Sequence, residues 1–233
     1  MRQCLIFRVR LKVCKHKGKY AEIYVPQKGL WKEVATVQVL SGGELTLATR
    51  RLDLKPLTSE DLDIIQSVWC DPQVMYYVGD VTTPEDVIQD MPQITSRGAG
   101  GRVGIWCISR KDTGQKIGNI VLLPVSIDED DTDWSQVVPD AYPKDEIEVG
   151  YQLVPDAWGQ GYASEACKRI IRFAFEKTDL PSVVANTDPD HTASKHVLEK
   201  CGMRFVGLKR AYGYDDQAWY KLTRREWEEE DCM

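Results

Sequence analysis

Glu146-Ile147-Glu148-Val149-Gly150-Tyr151-Gln152-Leu153, then Trp158-Gly159-Gln160-Gly161-Tyr162-Ala163-Ser164-Glu165-Ala166, is the stretch on which the fold turns. Ile147 to Leu153 reads as a strand. From Tyr162 to about Lys177 the apolar residues Ala163, Ala166, Cys167, Ile170, Ile171 and Ala174 recur at helical spacing. Between them, Gly159 and Gly161 let the backbone turn tightly and approach a ligand with no Cβ in the way. The turn runs straight into the helix. The first amides of a helix lack intrahelical partners and the dipole is positive there, so a pyrophosphate or other anion is the natural guest. No lysine follows Gly161 as a Walker A motif requires. Ser164 stands where the dinucleotide fingerprint needs its third glycine. A G-x-G pair alone is equally an ordinary strand-to-helix turn.

Outward from this unit the chain alternates element types. Leu45 to Leu54 reads as a strand closed by Lys55-Pro56. Thr58, with Asp61 three residues on, caps a helix carrying Leu62, Ile65, Val68 and Trp69, which Asp71-Pro72 ends. Thr83-Pro84-Glu85-Asp86 starts a second helix. Gly104 to Ser109 and Lys116 to Leu123 predict a hairpin. Asp128 to Pro143 is an acidic connection, long enough to be functional or disordered. Val183 to Asn186 predicts a short strand. Asp190 is placed to cap a helix through Lys200, with Gly202 as its stop, and Met203 to Leu208 and Ala218 to Leu222 predict two closing strands. The order predicts a mixed α/β domain with helices on both faces of its sheet.

The first 43 residues differ. No acidic residue occurs from Met1 to Ala21, and Leu5, Phe7, Val9, Leu11 and Val13 alternate as in a strand. Ile23 to Val25 and Val34 to Leu40 are further strand candidates. Ser41-Gly42-Gly43 reads as a joint. The expected organisation is a basic extension over 1–43, β-rich or poorly packed, a domain over 44–228, and a tail over 229–233.

The 233 residues carry a net charge of −6. Nucleic acid is a poor partner for such a chain, since phosphate binding needs a basic face; cationic amines are better matched. No stretch approaches the roughly 18 apolar residues of a membrane span. The seven cysteines are scattered, odd in number and without C-x-x-C spacing, which argues against a disulfide framework or a structural metal and for a reducing, cytoplasmic compartment. Oligomeric state is left open.

The central stretch resembles the cofactor motif of the GNAT N-acetyltransferases, Q/R-x-x-G-x-G/A, with Gly161 and Ala163 in its last two fixed positions and Trp158 in place of Gln or Arg. That replacement is similar to the ribosomal-protein-alanine N-acetyltransferase branch. So is Asp188-Pro189-Asp190-His191-Thr192-Ala193-Ser194 followed by Val197-Leu198-Glu199-Lys200-Cys201-Gly202-Met203. The opening Arg50-Arg51-Leu52-Asp53-Leu54-Lys55-Pro56-Leu57 and closing Tyr220-Lys221-Leu222-Thr223 also match, so the resemblance spans about residues 44 to 228. It implies a GNAT fold in which two neighbouring parallel strands, 147–153 and 183–186, splay apart. Acetyl-CoA is then the co-substrate. Its pantetheine arm is expected on the backbone of Leu153 and Val154, its pyrophosphate on the amides of Gly159, Gln160, Gly161, Tyr162 and Ala163, and Trp158 beside them as a further cofactor-binding residue.

The same resemblance implies acetyl transfer to a primary amine, a protein α-amine or a small molecule. An ammonium must lose a proton before it attacks. Glu148, on the strand face of Gly150, is the first candidate base; Asp215 and Asp216 are the alternatives, although Asp-Asp between strands is also plain turn chemistry. Many of these enzymes place a tyrosine at the position of Leu198 to protonate the departing thiolate. Leu198 cannot donate, and Ser194 is the implied donor. His191 replaces the usual asparagine, and Asn186 is placed to share that cofactor contact. Leu198 and His191 together motivate a second reading, an acyl-CoA-binding sensor without turnover. A third has the basic extension bind a partner such as the ribosome.

Overall fold

The computed structural model describes residues 37–231. The strand expectations over 5–13 and 23–25 lie outside them; of 34–40, only 37–40 is described, and it carries no strand. The chain from Gln38 onward forms one unit.

The helices are α1 (Gly42–Leu45), α2 (Leu62–Trp69), α3 (Pro72–Met75), α4 (Pro84–Ile94), α5 (Tyr162–Lys177), α6 (Thr192–Lys200) and α7 (Arg224–Asp231). The strands are β1 (Leu47–Ala48), β2 (Leu52–Pro56), β3 (Gly104–Arg110), β4 (Lys116–Pro124), β5 (Ile147–Leu153), β6 (Ser182–Thr187), β7 (Arg204–Ala211) and β8 (Tyr214–Thr223). They form one sheet in the order β1-β2-β3-β4-β5-β6-β8-β7. Every neighbouring pair is antiparallel except β5 and β6. Trp69 Nε1 donates to Gln152 Oε1 (3.0 Å), while Tyr151 Oη donates to Ser194 O (3.2 Å). Adjacent strand residues point to opposite faces, so α2 and α6 lie on opposite sides of the sheet, as the expected α/β architecture requires.

Several elements follow their local signals closely. Thr58 and Asp61 form a reciprocal cap, here on a short 3-10 turn that leads into α2. Thr83 caps α4, with Pro84 in its first turn. The stripe on α5 is buried from Ala166 to Ala174, with Ala163 partly so, and Phe173 and Phe175 beside it are buried too. Phe173 meets the Trp106 ring edge-on at 5.5 Å, and Phe175 packs against Trp227 of α7 at 5.3 Å.

Other expectations are corrected. The strand foreseen over 45–54 is broken into a β1–β2 hairpin, because a carboxylate on α5 holds the bend: Thr49 Oγ1 and Arg51 N donate to Glu165 Oε1 at 2.6 and 2.8 Å, and Arg51 Nε donates to Oε2 at 2.6 Å. At Ser41-Gly42-Gly43 the chain opens α1, with a capping box through Glu44. Asp71-Pro72 ends one helix and also starts the next, Asp71 Oδ1 accepting from Gln73 N at 2.8 Å. The N-cap of α6 is His191, not Asp190, whose own N–H is turned onto Asp188 Oδ1 (2.7 Å). Residues 224–231, the end of the expected domain and the start of the expected tail, form α7. The acidic connection is held in place: Ala99 N and Gly100 N donate to Val138 O and Pro139 O at 2.9 and 2.7 Å. No helix among the described residues is long and apolar enough to cross a membrane.

Trp106 and Trp219 are the largest fully buried side chains among the described residues. The Trp106 indole N–H donates to Leu45 O (2.9 Å), and the Arg97 guanidinium lies 3.9 Å over its ring. Trp106→Ala is expected to cost about 3–5 kcal/mol, read as a lower urea midpoint at unchanged slope.

Candidate active site

The parallel pair β5 and β6 meets at a single register position, Glu148 opposite Val184, whereas β4 and β5 pair along their full length. Beyond Glu148 the two strands diverge and leave a slot in the sheet.

One cavity, of about 870 Å³, runs from this slot to the start of α5. Gly159 and Gly161 take positive φ, +70° and +78°, and Gly161 is the N-cap. The first intrahelical bond of α5 is Glu165 N to Gly161 O (3.1 Å); amides ahead of it are left to a ligand. The turn is held from outside. Arg51 donates to Gln160 O (2.9 Å) and lies 4.5 Å over the Tyr162 ring. Trp158 Nε1 donates to Leu153 O (2.7 Å) on the slot side of β5. The pattern is therefore a preformed anion cradle at the end of an open slot, matching a long ligand with a phosphorylated end.

Of the residues expected to hold that ligand, Leu153, Trp158, Gly159, Gly161, Tyr162, Ala163 and His191 line the cavity. Gln160 is outside this lining, and its side chain braces the turn by donating to Asp156 O (2.7 Å). Val154 is outside this lining: its N–H donates to Ile117 O (3.0 Å) and its carbonyl accepts from Ala157 N (2.9 Å). Alternate residues of a strand send their backbone groups to opposite edges, and Val154 faces β4. Asn186 also moves, from the cofactor side to the other side of the sheet opening, where its Nδ2 donates to Glu148 Oε2 (2.5 Å).

A second cavity, of about 780 Å³, lies across the sheet opening and contains Glu148. Tyr77, Val78, Tyr151, Gln152, His191 and Ser194 line both cavities, so a ligand in each would meet there. Glu148 is buried, and burial pushes its carboxyl up to about 7 despite hydrogen bonds from Tyr212 and Asn186. Tyr212 Oη donates to Glu148 Oε1. The tyrosine sits at φ +50° in the Tyr212-Gly213 turn between β7 and β8, a left-handed conformation that costs a non-glycine residue about 1–2 kcal/mol and is typical of strain kept at working sites. Its N–H donates to Ser126 O (3.0 Å), which fixes the turn over the cavity.

At the junction, Tyr151 Oη lies 3.2 Å from Ser194 Oγ. Burial raises the Tyr151 pKa, keeping the phenol protonated. His191 stacks on Tyr77 at 4.4 Å, approaches Thr187 Oγ1 at 3.3 Å, and is pushed toward its neutral form by burial. Asp215 and Asp216 fall outside both cavities: they lie within β8 and are exposed, not in a turn, and Asp215 pairs with Arg210. Tyr212 and Tyr151 escaped the sequence reading. Tyr151 was quoted as part of a strand, but its partner is 43 residues away, and no spacing rule links Tyr212 to Glu148.

The profile of the acetyltransferase (GNAT) domain matches residues 51–204. The chain belongs to the GNAT acetyltransferase family. The FsC-acetyl coenzyme A-N(2)-transacetylase of Aspergillus fumigatus is 31% identical over 197 residues, covering 78% of this chain and 77% of that protein. The uncharacterized N-acetyltransferase p20 of Bacillus licheniformis is 30% identical over 172 residues, covering 72% and 86%. The crystal structure of a GNAT-family acetyltransferase from Bacillus anthracis shares the fold at TM-score 0.60 and 21% identity, covering 77% of this chain and 99% of that one. In this GNAT domain the splayed pair β5–β6, the α5 cradle and Glu148 form one continuous site.

Proposed function

We propose that the protein is an acetyl-CoA-dependent N-acetyltransferase that acetylates a primary amine by direct attack in a ternary complex. The observation that carries this is the meeting of two cavities at the sheet opening, one ending in an anion cradle and the other containing a buried carboxylate. The donor's pyrophosphate fits the amides at the start of α5, its arm fits the slot beside Leu153, and its thioester reaches the junction. The acceptor enters from the Glu148 side. Glu148 takes a proton from the ammonium, directly or through water. The amine nitrogen then bonds to the carbonyl carbon as the C–S bond breaks. The sulfur leaves with a proton from the Tyr151–Ser194 hydroxyl pair, which is replenished by the second proton released from nitrogen. Holding both reactants in line supplies much of the rate.

The sensor reading rested on the absence of a hydroxyl at Leu198. Tyr151 supplies one from the strand opposite, beside Ser194, which favours turnover. Free thiol released from acetyl-CoA, measured against a panel of amines, tests the proposal. Turnover on one acceptor class is expected. Ser194→Ala and Tyr151→Phe should each lower kcat by up to about a hundredfold, the low end of a positioned proton donor's contribution, with little change in KM for acetyl-CoA. Binding of acetyl-CoA without thiol release from any amine would overturn it.

A further inference from the structure

Gln152 is locked in one orientation by two neighbours. It stands opposite Asn119 in the β4–β5 register. An indole N–H can only donate, so Trp69 of α2 takes the Gln152 oxygen, Nε1 to Oε1 at 3.0 Å. Asn119 Nδ2 donates to that same oxygen, also at 3.0 Å. With Oε1 held twice, the amide cannot flip, and its NH₂ group is turned away from both partners. Nε2 donates to no group among the described residues, yet it is not sealed from solvent. Gln152 lines both cavities, where they meet. A fixed donor is therefore open to a ligand there.

The lock has a cost. Asn119 is fully buried, and with Nδ2 committed to Gln152 its Oδ1 is left without a partner. An unpaired buried acceptor is costly, and in a native fold it calls for a reason. The second bond onto Gln152 Oε1 supplies one, because it fixes the group that faces the ligand.

Position selects the ligand. Gln152 lies four residues along β5 from Glu148, toward the cradle, which is about 13 Å at the usual strand rise. That is too far for the amine that Glu148 deprotonates. Gln152 is instead flanked by Tyr151, whose hydroxyl meets Ser194, and by Leu153 of the slot. Tyr151 and Gln152 point to opposite faces, so they would hold a chain in the slot from its two sides. The arm of coenzyme A carries amide groups between its sulfur and its pyrophosphate, and their carbonyl oxygens need donors.

We infer that Gln152 Nε2 donates to the arm's amide carbonyl nearest the sulfur and so sets the depth at which the thioester lies. Trp69 and Asn119 are the positioning residues that aim it. This rests on the acetyl-CoA reading above and adds to it a side chain contact on the arm.

The test is calorimetric binding of coenzyme A and of 3′-phosphoadenosine 5′-diphosphate, its nucleotide end without the arm. Neither measurement requires the acceptor to be known. In Gln152→Met the Kd for coenzyme A should rise about three- to tenfold, the net worth of one hydrogen bond, while the Kd for the nucleotide stays unchanged. Gln152→Glu keeps an oxygen for Trp69 and Asn119 but turns a second oxygen on the carbonyl, so its loss should be larger. Trp69→Phe frees the amide to flip and should weaken coenzyme A by less than Gln152→Met does. Unchanged nucleotide binding also shows that each variant keeps its fold. An unmoved coenzyme A Kd in both Gln152 variants would refute the assignment. So would an equal loss for coenzyme A and the nucleotide, or a shift confined to the KM of whichever amine is turned over. A wild-type protein that binds neither ligand would take the acetyl-CoA reading down as well.

Discussion

Glu148→Gln is expected to lower kcat/KM by about 10²–10⁴-fold, the range a positioned general base contributes, and to remove the acidic limb of the pH profile. The wild-type limb should lie near pH 7, because burial pushes the Glu148 carboxyl up to about 7 and only the carboxylate can accept the ammonium proton. Tyr212→Phe removes a hydrogen bond that stabilises the charged form, so its limb should move to higher pH while the protein stays active above it. A pH profile of kcat/KM for the three proteins decides the matter. A limb in Glu148→Gln identical to wild type would assign the titration to another group.

The same carboxylate has an expected cost in stability, and its sign is opposite to that of a surface ion pair. The folded pKa of Glu148 lies above its ordinary value of 4.5. Below pH 4.5 the group is neutral in both states and contributes nothing. As pH rises toward 7, the unfolded chain releases the proton first and stability falls. Above 7 the deficit is complete, about 3 kcal/mol from the shift of 4.5 to about 7. Glu148→Gln should therefore be more stable than wild type at pH 8 and equal to it near pH 4, read by thermal midpoints at both. An inactive but stabilised variant would be the signature of a charge buried for chemistry.

The second large effect is expected at Gly161. Its φ of +78° at the N-cap of α5 is a true outlier for a β-branched residue. Gly161→Val should raise the KM for acetyl-CoA about 10–100-fold, since each charge-assisted hydrogen bond lost from the pyrophosphate is worth about 1.5–3 kcal/mol. The kcat at saturating donor should change far less, because Glu148 and the Tyr151–Ser194 pair are not on this turn. Gly161→Ala separates strain from sterics: its Cβ would sit 3.5 Å from Arg51, an ordinary contact, so its defect should be smaller. A donor KM unaffected in both variants would mean that the cradle does not hold the pyrophosphate.

Local signals carried far in this chain. The bounds of β5 and α5, the caps at Thr58 and Thr83, and the β3–β4 hairpin all depend on residues within a few positions of one another, and such short-range chemistry is legible in sequence. The two glycines of the turn and the spaced motifs around them were enough to place the family. The hairpin at 47–56 departs from the single strand its pattern predicts because its bend is held by Glu165, more than a hundred residues away.

The sequence by itself determined the unit of β5, glycine turn and α5, and that Glu148 stands on its strand, because periodicity, capping and glycine placement act along the chain. Only the tertiary structure decided that the Val154 N–H bonds Ile117 of β4, that Asn186 donates to the Glu148 carboxylate, and that Tyr151 and Tyr212 bring hydroxyls to Ser194 and Glu148. Each of these is a meeting of side chains or edges brought together by one splayed pair of strands, and the geometry of that opening is written in no single segment.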